Sequence, residues 1–226
     1  MGEEMNMMHQ RILVVLPHPD DEAFGLSGTL AKYIQEGAQV TYACLTLGER
    51  GRNMGIPPFA NRVTLPDVRR SELLESCKAI GIQDLRMLGF HDKTIEFEDK
   101  ELLDGRIMEI LQEIRPTLVF TFYPGYSVHP DHDATGAAVL RVMESLPAKE
   151  RPPLLCLAFS KNCYSVLGQP DVSVDVTEFL EHKMKSIQAH RSQFQAAELL
   201  GNRTLKDREI LDRFGTERFW TYPLNK

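Results

Sequence analysis

Arg11-Ile12-Leu13-Val14-Val15-Leu16 runs straight into Pro17-His18-Pro19-Asp20-Asp21-Glu22, and the reading of that junction decides the fold. An apolar run without polar alternation suits a short strand buried on both faces, at the centre of a parallel sheet. A helical stretch follows from Asp21 to about Glu36, and Gly37 ends it. A nucleotide-binding oxidoreductase or transferase would carry Gly-x-Gly-x-x-Gly at such a turn. His-Pro-Asp-Asp-Glu stands there instead.

Outward from this junction, strands and helices alternate. Gln39–Thr46 reads as a second strand, Leu47–Pro66 as a long loop, and Asp67–Ile80 as a helix capped by Asp67 and stopped by Gly81. Asp84–Leu88 is a third strand, Lys100–Arg115 a helix broken by Pro116, and Thr117–Phe122 a fourth strand. His129–Ser145 begins as a loop and becomes a helix. Leu154–Phe159 and Val172–Val176 read as strands and Thr177–Leu199 as a long helix, while Arg203–Tyr222 resists assignment. The expectation is an α/β fold: a doubly wound, mostly parallel, Rossmann-like sheet of 3-2-1-4-5 type order with helices on both faces. Residues 1–10 are expected to be a flexible N-terminal extension, and residues 11–226 a single domain.

Composition sets the class. Hydrophobic residues make up 42% and charged residues 26%, which excludes a disordered chain. The net charge of −6 gives nucleic acid and anionic membranes no field to be drawn by. No apolar run is long enough to span a bilayer, and the first residues have no secretory pattern. Cys44, Cys77, Cys156 and Cys163 show no Cys-x-x-Cys spacing, so free buried thiols in a cytoplasmic enzyme are expected.

In doubly wound sheets ligands gather at the carboxyl ends of the strands where strand order reverses. With the expected order, the first and fourth strands are neighbours. Pro17–Glu22 and His129-Pro130-Asp131-His132 then reach one crevice from positions over a hundred residues apart. Each carries an i, i+3 pair of ligand types, His18 with Asp21 and His129 with His132. Three protein ligands and one open position make a catalytic zinc site, able to acidify a water to near neutrality. The plainer alternative is that these are helix-start residues, with Asp20 or Asp21 as an N-cap.

The two motifs resemble those of the LmbE / PIG-L family of zinc-dependent N-acetylglucosaminyl deacetylases. The resemblance spans essentially the whole chain: Thr46-Leu47-Gly48-Glu49, Arg69-x-x-Glu72 and Lys183-x-x-Ser186-x-x-x-His190-x-Ser192-Gln193 also take part. It implies His18, Asp21 and His132 as metal ligands, with zinc, ferrous iron or cobalt as the ion. It implies Asp20 as the general base and His129 as a protonated donor to the oxyanion or as the acid for the leaving amine. Asp131 would orient a histidine. Some relatives have a tyrosine where this chain has Ser127; Tyr126 lies one step earlier.

On the substrate side, Glu49–Arg70 holds Arg50, Arg52, Arg62, Arg69 and Arg70 against Glu49 and Asp67. Arginine suits bidentate recognition of carboxylate or phosphate. Arg52 and Arg69 are the candidate contacts, while a solvated loop with ion pairs to nearby acids is the better account of Arg50 and Arg62. Asp92 either hydrogen-bonds a sugar hydroxyl or caps a turn. Gly48–Gly55 with Asp92-Lys93-Thr94 is similar to the bacillithiol-pathway branch, which implies N-acetylglucosaminyl malate as the amino-sugar substrate. Competing substrates are bacillithiol-type thiol conjugates and chitobiose. A non-catalytic metal-binding protein is the remote alternative. The apolar residues of the late helix suit a core or a homo-oligomer interface.

Overall fold

A computed structural model describes residues 10–195, 201 and 203–224. The expected extension over residues 1–10 lies outside them, apart from Gln10. Gln10 is buried, and its carbonyl accepts from the Gln39 amide.

Seven strands form the sheet: β1 (Arg11–Leu16), β2 (Gln39–Cys44), β3 (Asp84–Met87), β4 (Leu118–Phe122), β5 (Leu154–Leu157), β6 (Val172–Asp175) and β7 (Thr216–Thr221). Their order is β3-β2-β1-β4-β5-β7-β6. The first five pair in parallel, and β7 is antiparallel to both neighbours. The expected 3-2-1-4-5 order holds. The segment that resisted assignment supplies a helix and the antiparallel β7, which inserts between β5 and β6.

β1 shows why the order works. Ile12, Val14 and Leu16 pack on one side with Leu30, Leu73 and Phe179, while Leu13 and Val15 pack on the other with Ile107, Val139 and Met143. Each such side chain contributes about 1.5–3 kcal/mol on burial, so the strand has no face to spare for solvent. The covering helices are α1 (Asp21–Gly25), α2 (Ser27–Gln35), α3 (Leu65–Ile80), α4 (Lys100–Ile114), α5 (Pro130–Ser145), α6 (Cys163–Leu167), α7 (Leu180–Ala189) and α8 (Arg208–Phe214). Among the described residues no helix is long and apolar enough to cross a membrane.

Three expectations need correction. The first helix is two, broken at Leu26, whose φ of −134° leaves the helical region. α3 starts at Leu65 with Thr64 at its cap position and Pro66 in its first turn, not at Asp67. The late helix ends at Ala189, because the chain turns to pass His190 and Ser192 to buried acids; residues 196–199 of the expected helix lie outside the described ones. Leu180, Met184 and Ile187 pack with Ala23, Ile210 and Phe214, so that face is core of this chain.

Candidate active site

β1 and β4 end side by side, and the loops beyond them meet at the carboxyl edge of the sheet. His18 Nδ1 lies 3.2 Å from His132 Nε2, and His132 Nε2 lies 3.2 Å from Asp21 Oδ1. Asp21 Oδ2 is 3.6 Å from His18 Nδ1. Four-coordinate zinc with bonds near 2.0–2.1 Å separates its ligand atoms by about 3.3 Å; the His18–His132 and His132–Asp21 spacings match that, while Asp21 faces His18 with its other oxygen.

The outer nitrogens of both rings fix the chemistry of the inner ones. His18 Nε2 faces Asp131 Oδ2 at 3.0 Å and Asp92 Oδ1 at 3.2 Å. His132 Nδ1 faces the Ser127 carbonyl at 2.9 Å. Each outer nitrogen must donate, so in the neutral rings each inner nitrogen presents a lone pair. Two lone pairs and a carboxylate then face one another, an arrangement satisfied by a cation between them or by protonation of the rings. Burial opposes charge on His18, but Asp131, Asp92 and Asp21 outweigh it and raise the pKa to about 10. His132 is raised against its burial by Asp21. Burial likewise disfavours the Asp21 carboxylate, yet His132 and His18 hold it at about 2.

Asp20 stands beside this cluster. It occupies the cap position of α1, yet its side chain makes no capping bond. Asp20 Oδ2 instead accepts from Arg69 Nη2 at 2.9 Å. The Arg69 guanidinium also donates to the carbonyls of Gly48 and Pro19. Gly48 is required there: at its φ of +60° a Cβ would lie 1.8 Å from Arg69 Nη1. Burial pushes Asp20 up to about 6, with Arg69 opposing and Asp21 adding to the rise.

His129 caps α5, its Nδ1 accepting the Asp131 amide at 3.1 Å. Its Nε2 therefore carries the proton of the neutral ring. Burial, then His18 and His132, lower its pKa. The His132 ring stacks on Phe122, with centroids 4.0 Å apart. Asp131 is fully buried and accepts from the amides of Lys93 and Ile95 as well as facing His18. An open cleft of about 300 Å³ is lined by His18, Asp20, Asp21, Arg52, His129 and His132, among others.

The model of the PIG-L family, described as GlcNAc-PI de-N-acetylase, matches residues 13–143. A Bacillus cereus protein named probable N-acetyl-alpha-D-glucosaminyl L-malate deacetylase 2 is 48% identical over 95% of this chain and 99% of its own. The chain belongs to the PIG-L family. Among solved structures, the N,N'-diacetylchitobiose deacetylase of Pyrococcus horikoshii aligns with a TM-score of 0.71 at 23% identity, over 95% of this chain and 84% of that one. A 4-carboxy-2-hydroxymuconate hydratase from Pseudomonas putida aligns with 0.73 at 18% identity, over 96% and 98%. At such identities these two show the fold alone, and the chemistry must be argued from the site.

The other residues that carry the resemblance fall behind the cleft. Glu22 is buried and accepts from His190 Nε2, Ser76 Oγ, the Asp20 amide and Tyr42 Oη. Glu72 takes the amide and hydroxyl of Ser192. Lys183 pairs with Glu217, whose carboxylate also receives the Gly28 and Thr29 amides at the start of α2. The sequence reading gave no role to Glu22 or Glu217.

The substrate-side candidates separate in the structure. Arg52 lines the cleft, is exposed, and has no ion pair among the described residues. Arg69 is 3% exposed and is committed to Asp20 and two carbonyls. Asp92 is 3% exposed, with one oxygen on His18 Nε2 and the other on the Arg50 amide. Tyr126 packs toward Trp220 and Cys163.

Proposed function

We propose that the protein removes the acetyl group from an N-acetylglucosaminide, N-acetylglucosaminyl malate foremost, within one catalytic domain over residues 11–226. What carries the reading is the convergence of His18, Asp21 and His132 on a single point beside a carboxylate that does not cap its helix. These residues would hold a divalent cation, zinc by donor set. When bound, it would supply Lewis acidity that polarises the acyl carbonyl and brings the pKa of a water near neutrality.

The chain's own groups supply the rest. Asp20, with Oδ2 tied to Arg69, uses its other oxygen to take the proton of the attacking water. His129 donates from Nε2 to the developing oxyanion. Its lowered pKa keeps the ring neutral at neutral pH, and a cation beside it acts in the same direction. Asp20, once protonated, is then the group that hands a proton to the leaving amine. Asp131 and Asp92 hold His18 by its outer nitrogen, so Asp92 serves the ligand and not a sugar hydroxyl. Arg69 serves the base.

Arg52 is the group left for the substrate's aglycone, and the malate named in the Bacillus relative offers two carboxylates for it. The test is turnover of the metal-loaded protein on N-acetylglucosaminyl malate, N-acetylglucosamine, chitobiose and a thiol-conjugate amide. The malate compound should lead. Arg52→Ala should lower kcat/KM on it by about 10- to 100-fold, the worth of a hydrogen bond to a charged group, and change N-acetylglucosamine turnover far less. Equal loss on both substrates would remove Arg52 from aglycone recognition, and preference for chitobiose would overturn the malate reading.

A further inference from the structure

Glu22 is a fully buried carboxylate with no part in the proposed chemistry. Its four contacts all have the geometry of a receptor for donors. Oε1 accepts from His190 Nε2 at 2.8 Å and Ser76 Oγ at 2.5 Å. Oε2 accepts from the Asp20 amide at 3.0 Å and Tyr42 Oη at 3.3 Å. His190 is equally buried, and its other ring nitrogen has no hydrogen-bond partner. The imidazole is therefore committed to Glu22 alone.

The contact with Asp20 has a particular consequence. Asp20 sits at φ 106°, ψ −22°, a left-handed conformation that residues with side chains rarely adopt. Such conformations persist only where the surroundings over-determine them. Here the peptide unit joining Pro19 to Asp20 is gripped at both ends. Its carbonyl accepts from Arg69, and its N–H donates to Glu22. With both ends of that plane tied, the Asp20 side chain has one direction to leave the backbone. Its Oδ2 reaches Arg69, its Oδ1 takes no hydrogen bond among the described residues, and Asp20 lines the cleft.

We propose that Glu22, backed by His190, is a positioning residue that locks the Pro19–Asp20 peptide and thereby aims the Asp20 carboxylate. The proposal rests on Asp20 being the base, and the experiment separates the two claims. Glu22→Gln keeps the volume but leaves one acceptor oxygen for four donors. A full metal equivalent and a KM within about 2-fold are expected, with kcat about 10- to 100-fold lower, the cost of a small misplacement of a reacting group.

The deciding measurement is a double-mutant cycle. On the Asp20→Asn background, Glu22→Gln should lower the residual turnover by less than about 2-fold, since there is no base left to aim. Equal losses on both backgrounds would overturn the proposal, because Glu22 would then support the fold alone. An Asp20→Asn protein with undiminished kcat would instead sink the base assignment. If Glu22→Gln does not fold, Ser76→Ala removes one of the four donors in the same cycle. Its expected loss is about 3- to 10-fold in kcat, the worth of one hydrogen bond, and that loss should vanish on the Asp20→Asn background. Persistence of the loss there would count against the proposal.

Discussion

Asp20→Asn should bind a full equivalent of metal and lose about 10²- to 10⁴-fold in kcat, the range that general-base catalysis supplies. The substitution is mild for the fold. Asparagine tolerates the left-handed backbone of Asp20, and its carbonyl oxygen can keep the Arg69 contact. What it lacks is the second basic oxygen toward the cleft. The same group sets the pH dependence. Burial raises the Asp20 pKa to about 6, and a bound cation would add to the pull of Arg69 in the other direction. A base works only when deprotonated, so kcat/KM should fall as pH drops through about 6 or somewhat below, and the Asp20→Asn protein should lose that acid limb. Metal analysis and a pH–rate profile of both proteins check this. A mutant that turns over at the wild-type rate would leave the reaction without its proton acceptor.

Periodicity and turn residues were enough for β1 to β5 and their parallel order, because β1, β2, β4 and β5 are buried over nearly their whole length and the helices between the five strands end close to a glycine or a proline. Adjacency of β1 and β4 followed from that order, and it brought the His18/Asp21 and His129/His132 pairs to one crevice; the family resemblance singled out His18, Asp21 and His132 among them. β7 was not legible: an antiparallel strand inserted between β5 and β6 pairs Leu155 with Thr221 and Val172 with Phe219, partners far apart in sequence that no local pattern records. Arg69 and Asp92 were legible as polar residues near the cleft, but not as partners of Asp20 and His18. Those contacts join positions 49 and 74 apart, across a loop with its own internal turns. Glu22 stood in the most informative motif of the chain and still went unread, since a carboxylate at a helix start looks solvated until its burial is known.

His132→Ala should reduce metal affinity by more than about 100-fold, beyond what the loss of a group behind a ligand costs. Three observations combine to demand this. Its Nε2 is 3.2 Å from both His18 Nδ1 and Asp21 Oδ1, so it closes the triangle. Its ring is clamped flat on Phe122 and tied through Nδ1 to the Ser127 carbonyl, so its Nε2 is held at that corner. His129, the nearest spare imidazole, already accepts the Asp131 amide with Nδ1 as the cap of α5. Asp131→Asn tests the layer behind, where a loss of about 10- to 100-fold is expected because His18 keeps its place in the triangle but loses a charged partner. Competition with a chelator of known affinity would rank the two mutants. Metal uptake by the native protein should also release protons, since the carboxylates raise both histidine pKa values and the ligating nitrogens must be unprotonated. Affinity then weakens as pH falls. A His132→Ala protein that retained a tightly held equivalent would place the ion elsewhere, and Asp20 would have no acidified water to deprotonate.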